Sequence, residues 1–402
     1  TDAHTDPRWV LSWQLQRARQ HPTAVGSATF GGVQEIEDLA GLDAVLASPG
    51  PLAGLRFQDL DLTGHEAPLL ARTDLEGLVV LGERVSADLA QHLRQHGALV
   101  FPTDPGVPVN PYRATLYQPH DLYAGLSENG YDATPDALAY LWSRDGDARH
   151  DAFVNLLRAI HDDSMSDALS EVIGSSAVVG VMGGHALERG TAGYTGAAHL
   201  GHALAEAGCV VATGGGPGAM EAANLGAYAA SARSLDEALT RLAGIPSFVP
   251  EIEPWAQVAL DALEGLLEAR GELGAVTSLG IPTWFYGHEP PNVFCDGIAK
   301  YFSNAIREDG LLARCDAGIV VLPGAAGTVQ EVFQAATRLF YATPDAVLPL
   351  LVLVGRDHWT NTIPVWPALQ ALAVGRPMEQ RLHLVDSPAE AAALVTGNSA
   401  TL

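Results

Sequence analysis

Three apolar runs that each end in a glycine-rich loop constrain this chain most strongly. They are AVVGVMGG at residues 177–184, CVVAT at 209–213 followed by GGGPG, and AGIVVLPG at 317–324 followed by AAGT. A continuous apolar run of this length is typical of a strand buried on both faces of a parallel sheet. Because helical patterns follow the loops, the chain predicts an α/β fold with a doubly wound, parallel, Rossmann-like sheet. Ligands of such sheets bind at the carboxyl ends of the strands.

Two further apolar runs, IPTWFYG at 281–287 and VLPLLVLVG at 347–355, extend the predicted sheet. Residues 231–280 have helical patterns and are predicted to form an insertion or a long crossover beside the sheet. The domain built on this sheet is predicted to cover residues 175–402.

The first part of the chain predicts a separate N-terminal α/β domain at 1–120, since residues 75–102 have a strand, helix and strand pattern. Prolines between 102 and 119 indicate a loop or a domain boundary. A helical connector is predicted at 121–174, with its helix from about residue 136. The role of the N-terminal domain stays open.

Charge and composition exclude several classes of protein. The formal net charge is −25 and no basic stripe is visible, which argues against a nucleic-acid partner. No apolar run approaches the roughly 20 residues that span a bilayer, and the first residues lack a signal-peptide pattern. The three cysteines have no CxxC spacing and the histidines are dispersed, so we predict a cytoplasmic location, no metal site and no cofactor.

The glycine loops predict an anion site. Glycine lets the backbone approach a ligand, and the N–H groups at a helix N-terminus bind anions. The candidate substrate residues in these loops are Gly183, Gly184, Gly214, Gly215, Gly216, Gly218, Met220, Pro323, Gly324, Gly327 and Thr328. Two plainer interpretations stay open: the glycines serve only tight turns, and Thr328 with Glu331 forms a capping box that does nothing else.

A third element is the segment VFCDGIAKYFSNAIREDGLL at 293–312, which we interpret as a helix. At 100° per residue, Lys300, Asn304 and Arg307 would lie within about 60° of each other on one face. Lys300 is the single lysine among 22 basic residues. The alternative is the ordinary polar face of an amphipathic helix.

Together these elements resemble the Lonely Guy family of nucleotide phosphoribohydrolases. The family's PGGxGTxxE hallmark corresponds to PGAAGTVQE at 323–331, and its partner loop to GGGPGAME at 214–221. The resemblance covers roughly 175–355, and its later part looks closer to the long bacterial branch that cleaves nucleoside 5′-monophosphates. The hallmark departs from the family at Ala325, where the second glycine would stand.

The resemblance implies hydrolysis of the N-glycosidic bond of a nucleoside 5′-monophosphate to free base and ribose 5-phosphate. It implies that Arg307 and Glu331 are the catalytic pair, and that the protein is a homo-oligomer. The chemistry agrees, because a carboxylate beside the ribose stabilises the oxocarbenium character of the transition state.

Two other functions stay open. One is a nucleotide-binding or sensing protein of the same fold without catalysis, for which Ala325 and the N-terminal domain are the clues. The other is a decarboxylase that holds pyridoxal phosphate as a Schiff base, for which only Lys300 is available.

Overall fold

The structure is a computed structural model that describes residues 29–30, 33–82, 84–104, 106–146, 150–271, 274–286, 289–343 and 346–399. Its contacts divide the chain into two units. Unit 1 comprises Thr1–Thr115 and Asp145–Ala168, and unit 2 comprises Leu116–Arg144 and Leu169–Leu402. The domain boundaries expected near residues 120 and 174 stay a prediction.

Unit 1 contains a five-stranded sheet in the order β1-β2-β3-β4-β5, in which β1 is antiparallel to β2 and the other neighbours are parallel. Its strands are β1 (Thr29–Phe30), β2 (Val33–Ile36), β3 (Leu55–Gln58), β4 (Val79–Leu81) and β5 (Leu99–Phe101). Its helices include α1 (Leu39–Ala47), α2 (Glu66–Leu70) and α3 (Ala87–Gln95). The strand, helix and strand predicted within 75–102 are confirmed by β4, α3 and β5.

Local chemistry sets the helices of unit 1. The Ser86 hydroxyl accepts a hydrogen bond from the Leu89 amide at 3.2 Å and caps the start of α3. Leu89 and Leu93, one turn apart on α3, are fully buried with Leu78 and Val80 of the sheet region. The apolar face of α3 therefore packs into the core of this unit.

The remaining elements follow in chain order, and one of the three boundaries between the units falls within α7. The helices are α4 (Pro119–Leu122), α5 (Leu126–Asn129), α6 (Pro135–Arg144), α7 (Ala152–Ile173), α8 (Ala192–Glu206), α9 (Ala219–Tyr228), α10 (Ala232–Leu242), α11 (Ile252–Arg270), α12 (Asn304–Arg314), α13 (Ala326–Phe340), α14 (Val365–Ala373) and α15 (Pro388–Ser399). The strands are β6 (Val178–Met182), β7 (Val210–Thr213), β8 (Ser278–Gly280), β9 (Gly297–Ile298), β10 (Gly318–Val321), β11 (Leu351–Val354) and β12 (Leu382–Val385). Among the described helices, none has the length and apolarity that crossing a membrane requires.

The second sheet has seven parallel strands in the order β12-β11-β10-β6-β7-β8-β9. The strands β6, β7, β10 and β11 are buried throughout. From β6 the chain adds strands on one side, and from β10 it adds them on the other, so the order reverses between β6 and β10. The predicted doubly wound α/β fold is confirmed, with the three glycine clusters after the neighbouring strands β10, β6 and β7.

Two sequence-based assignments in unit 2 are wrong. Instead of the strand expected at 281–287, strand β8 ends at Gly280, and residues 281–286 contain only an isolated bridge between Thr283 and Tyr301. Gly287 lies outside the described residues. Pro282 has no N–H for a ladder, which explains the early end. The helix expected at 293–312 begins only at Asn304, because residues 297–298 form strand β9 against β8.

Candidate functional site

The glycine loop after β7 has a fixed shape. Gly215 has φ of +69° and donates its N–H to the Thr213 hydroxyl at 2.9 Å. Its carbonyl accepts from the Asn292 amide at 2.8 Å. A Cβ atom on Gly215 would lie 2.5 Å from Cδ of Pro282, so both the conformation and the space require glycine.

Hydrogen bonds from two buried asparagine side chains fix this loop against the sheet. The Asn292 side chain donates to the Gly216 carbonyl at 3.2 Å and to Oδ1 of Asn224 at 3.0 Å. Asn224 in turn donates to the Leu279 carbonyl of β8 at 3.1 Å. Neither asparagine was predicted from the sequence, although Asn224 lies only three residues after the GGGPGAME motif.

Arg307 and Met220 lie over the same loop. A Cβ atom on Gly214 would be 2.8 Å from Sδ of Met220 and 3.4 Å from Nη1 of Arg307. A Cβ atom on Gly216 would be 3.0 Å from Cε of Met220. Glycine at 214 and 216 thus lets two side chains of the predicted site approach the backbone.

Close packing accounts for two other predicted glycines. Gly218 has φ of +73°, and a Cβ atom there would lie 2.6 Å from the carbonyl oxygen of Gly184. A Cβ atom on Gly183 would lie 2.7 Å from Cβ of Ala219, whose N–H donates to the Gly184 carbonyl at 3.1 Å. The loop after β6 therefore covers the first residue of α9.

The hallmark loop leads into α13 earlier than expected. The helix begins at Ala326, after Ala325 with φ of −113° and ψ of −147°. Thr328 is thus the third helical residue, so the alternative of a capping box from Thr328 to Glu331 does not hold. Its side chain is buried and lies against Gly324, where a Cβ atom would be 2.1 Å from Oγ1 of Thr328. The negative φ accommodates the methyl group of Ala325 without strain.

The first turn of α13 leaves room for a ligand. Apart from its chain neighbours and the nearby backbone of its own helix, a Cβ atom on Gly327 would have no heavy atom of the described residues within 4 Å. The first N–H groups of a helix have no partner within the helix and carry partial positive charge. Two hydrogen bonds fix the loop before them. The Pro323 carbonyl accepts from the backbone N–H of Gly184 at 3.1 Å, and the Gly324 carbonyl accepts from Nε2 of His358 at 3.0 Å when Nε2 carries the proton. His358 is a loop contact that the sequence analysis missed.

Arg307 and Glu331 meet beside these loops. Nη1 of Arg307 lies 3.6 Å from Oε1 of Glu331, and the two side chains are 8% and 12% exposed. Nη2 and Nε of Arg307 donate to Oδ1 of Asn304 at 2.8 and 3.2 Å. The structure therefore brings together three residues that the sequence analysis predicted, on α12 and α13.

Burial raises the pKa of Glu331 to about 7. Arg307 opposes this shift, and the nearby Glu308 carboxylate adds to it. A carboxyl group with a pKa near neutrality can both accept and release a proton under ordinary conditions.

Glu308 is a site residue that the sequence analysis missed. Its Oε1 accepts from Nδ2 of Asn304 at 2.8 Å and lies 3.4 Å from Nη2 of Arg307. Its Oε2 accepts from the side chain of Gln330 on α13. The one available signal was its position next to Arg307 in the sequence.

Three polar side chains line the rim of the site. The Tyr286 hydroxyl accepts from Nδ2 of Asn304 at 2.9 Å, and 42% of this residue is exposed. Oε1 of Glu289 lies 3.3 Å from Nδ1 of His185. Oε2 of Glu289 would lie 3.6 Å from a Cβ atom on Gly216. These groups border the glycine loop and the Arg307 network.

Lys300 does not lie on a helix face with Asn304 and Arg307, so that expectation is wrong. It precedes α12, is 1% exposed, and donates from Nζ to Oδ1 of Asp136 at 2.6 Å. Asp136 also accepts from the Trp284 indole at 2.8 Å and from the Tyr131 hydroxyl at 2.7 Å. Burial lowers the pKa of Lys300, against the effect of Asp136. Substrate binding by Lys300 stays a prediction.

The fold and loops define a Rossmann-like α/β protein. Residues 176–235 match the sequence model of the SLOG cluster4 family, within the superfamily that joins the SMF/DprA and LOG proteins. The match includes β6, β7 and the GGGPGAME loop, and it confirms the resemblance to the LOG group for this segment.

Other comparisons concern whole proteins. No curated protein sequence matches the chain. The Moco carrier protein from Chlamydomonas reinhardtii is 19% identical, with 56% of this chain and 99% of that chain covered and a TM-score of 0.33. The molybdenum cofactor binding protein from the phototrophic bacterium Rippkaea orientalis is 18% identical, with 55% and 96% covered and a TM-score of 0.32.

Proposed function

We propose that unit 2 is a hydrolase that cleaves the N-glycosidic bond of nucleoside 5′-monophosphates to free base and ribose 5-phosphate. One observation carries the proposal: Nη1 of Arg307 lies 3.6 Å from Glu331 and also next to Gly214. A cation and a carboxyl group thus meet at a glycine loop, at the carboxyl-end edge of the sheet where β7 and β10 flank β6. The matched SLOG superfamily includes nucleosidases, which supports the same reaction class.

The phosphate would bind at the start of α13. The N–H groups of Ala326, Gly327 and Thr328 lie in the first turn, where the helix dipole favours an anion. The open space over Gly327 admits the phosphate, and the Thr328 hydroxyl is an additional donor. Binding energy from this non-reacting end would orient the ribose toward Glu331.

Glu331 would act on the ribose and on water. As the C1′–N bond breaks, its electron pair goes to the base, and positive charge develops on the ribose. The Glu331 carboxylate stabilises that charge and accepts a proton from the water whose oxygen bonds to C1′. The departing base takes up one proton from solvent, and Glu331 then releases the proton of the attacking water to solvent. The products are therefore a neutral base and ribose 5-phosphate, with one water consumed. Arg307 would donate to the ribose or the phosphate while keeping Glu331 in place.

The proposal includes a homo-oligomer, which the family resemblance implies, and a cytoplasmic location, which the cysteine usage favours.

The test is a panel of nucleoside 5′-monophosphates assayed for free base and ribose 5-phosphate. We expect at least one to be hydrolysed, and the matching nucleoside without phosphate to react far more slowly. Glu331→Gln should lower kcat about 1,000-fold, because it removes a group that acts in the transition state. Asp309→Asn is the control, since Asp309 is an exposed acid on α12.

Two results would contradict the proposal. One is base release by Glu331→Gln at the wild-type rate. The other is nucleotide binding without base release across the whole panel, which would favour a binding or sensing protein.

A further inference from the structure

Arg307 lies between two carboxyl groups that it contacts unequally. Nη1 faces Glu331 on α13 at 3.6 Å, and Nη2 lies 3.4 Å from Glu308 on its own helix. Asn304 links the second contact, because it accepts from Nε and Nη2 of Arg307 and donates to Glu308 at 2.8 Å. One edge of the guanidinium is therefore fixed by α12, and the Nη1 end is directed to Glu331.

We propose that Glu308 is a positioning residue of the proposed hydrolase. Together with Asn304 it holds Arg307 with Nη1 toward Glu331 and Gly214, and its charge keeps Arg307 from neutralising Glu331 completely. The inference rests on the proposed function, but the charge coupling between the two glutamates can be measured without any substrate.

The contact distances show why the clamp has an effect. An arginine free to turn would pair with Glu331 through two parallel N–H donors at about 2.7–2.9 Å. Here the Nε and Nη2 edge is occupied by Asn304 and Glu308, so only Nη1 is directed to Glu331, at 3.6 Å. The single long contact stabilises the Glu331 carboxylate less than a bidentate pair would.

Contacts between the helices keep Glu308 in place. Gln330, the residue before Glu331, donates from its side chain to Oε2 of Glu308. Asn304 donates to its other carboxylate oxygen, so both oxygens of Glu308 have partners within the described chain. Glu308 is 4% exposed. Its charge is thus held near Glu331 and shielded from solvent.

Four titratable groups surround Glu331 in the described part of the chain. Arg307 and Glu308 of α12, Tyr286 of the loop after β8, and Cys315 just after α12 interact electrostatically with it, and Arg307 also contacts it directly. Burial raises the pKa of Tyr286 and raises the pKa of Cys315 to about 12, so both are neutral near pH 7. Of the four, Glu308 is the group that adds negative charge next to Glu331.

The decisive variant is Glu308→Gln, which removes the charge and keeps an oxygen that accepts from Asn304. We expect the pKa of Glu331 to fall by about one pH unit, because a like charge has been removed. A ¹³C NMR titration of the side-chain carboxyl groups measures this directly, with the Glu331 signal identified by its loss in Glu331→Gln. The acid limb of kcat/KM should move to lower pH by the same amount.

The matched control is Asp309→Asn, on the same helix. Asp309 is also an acid bound by a glutamine of α13, Gln334, but it lies on the exposed face. This variant makes the same change in net charge, and we expect the Glu331 titration to stay at its wild-type position. A second variant, Glu308→Asp, retains the charge, and its Glu331 pKa should remain close to the wild-type value.

The outcomes separate the two proposals. If the Glu331 pKa is the same in wild type and Glu308→Gln, or if Asp309→Asn moves it equally, the role of Glu308 is overturned while the hydrolase proposal stands. If the wild type releases no base from any nucleotide, the hydrolase proposal and the positioning role both fail, whatever the titration shows. A shift in the titration and in the acid limb together supports the inference.

Discussion

Two of the buried charge pairs in unit 2 differ in almost every respect. Lys300 and Asp136 are 2.6 Å apart, at most 2% exposed, and Asp136 has further donors in Trp284 and Tyr131. Arg307 and Glu331 are separated by 3.6 Å and are 8% and 12% exposed. The first pair has a short charge-assisted hydrogen bond, and the second has only a long contact.

The difference shows which pair is available for a ligand. Lys300 and Asp136 neutralise each other inside the fold. Their contact can hold α6, which contains Asp136, against the segment that follows β9. In the Arg307 pair, Nη1 borders Gly214 and the pKa of Glu331 is raised to about 7 by burial. A donor and a proton-exchanging carboxyl group beside a glycine loop are the features that chemistry requires.

The largest expected effect is on stability, in Lys300→Met. Removing the ammonium leaves the Asp136 carboxylate buried without its countercharge, which costs about 3–5 kcal/mol of unfolding free energy. Urea denaturation measures the loss. Lys300→Met with Asp136→Asn is the control, and it should recover part of the stability because no isolated charge remains. A loss well below about 1 kcal/mol, together with strongly reduced nucleotide binding, would instead place Lys300 at the substrate.

A change of opposite sign is expected for Glu331→Gln. The pKa of Glu331 is about 7 in the folded protein, above its ordinary value of 4.5, so the folded state holds the proton more tightly. The stabilisation is complete below the ordinary value and is lost as pH rises through about 7. A glutamine does not ionise, so this variant should be more stable than wild type by about 1–3 kcal/mol at about pH 8.

Urea denaturation near pH 5 and near pH 8 provides the check. The advantage of Glu331→Gln should be small near pH 5, where wild-type Glu331 is protonated, and should grow with pH. A variant less stable than wild type at the higher pH would show that Arg307 and Glu331 form a stabilising pair. The contrast with Lys300 and Asp136 would then disappear.

Most of the second sheet could be predicted because its signals are local. Each apolar run is buried on both faces, and the loop that follows it has its own glycines. The two errors also have local causes, since Pro282 ends β8 early and Gly297 pairs in β9 where a continuous helix was expected. A helical period alone cannot distinguish a helix from a short strand followed by one.

The two pairs differ in predictability for a topological reason. Arg307 lies on the helix that precedes β10 in the chain, and Glu331 lies on the helix that follows it. The alternation of strands and helices therefore brings both residues to one edge of the sheet. Lys300 and Asp136 are 164 positions apart, and no local pattern indicates such a contact. Glu308 was missed for another reason, because its role depends on the distances around Arg307.

The smallest expected effect belongs to Ala325→Gly. This variant tests whether alanine at the position of the hallmark's second glycine limits ligand access to Arg307 and Glu331. Ala325 has φ of −113°, a region that alanine adopts readily, and the residue is exposed. Glycine there should cost about 0.4–1 kcal/mol through the greater freedom of the unfolded chain. The phosphate site over Gly327 is unchanged by this substitution, so kcat/KM should stay within about twofold of wild type. If nucleotide hydrolysis instead rose tenfold or more, the methyl group would be crowding the phosphate, and the site beside Arg307 and Glu331 would be less open than its contacts indicate.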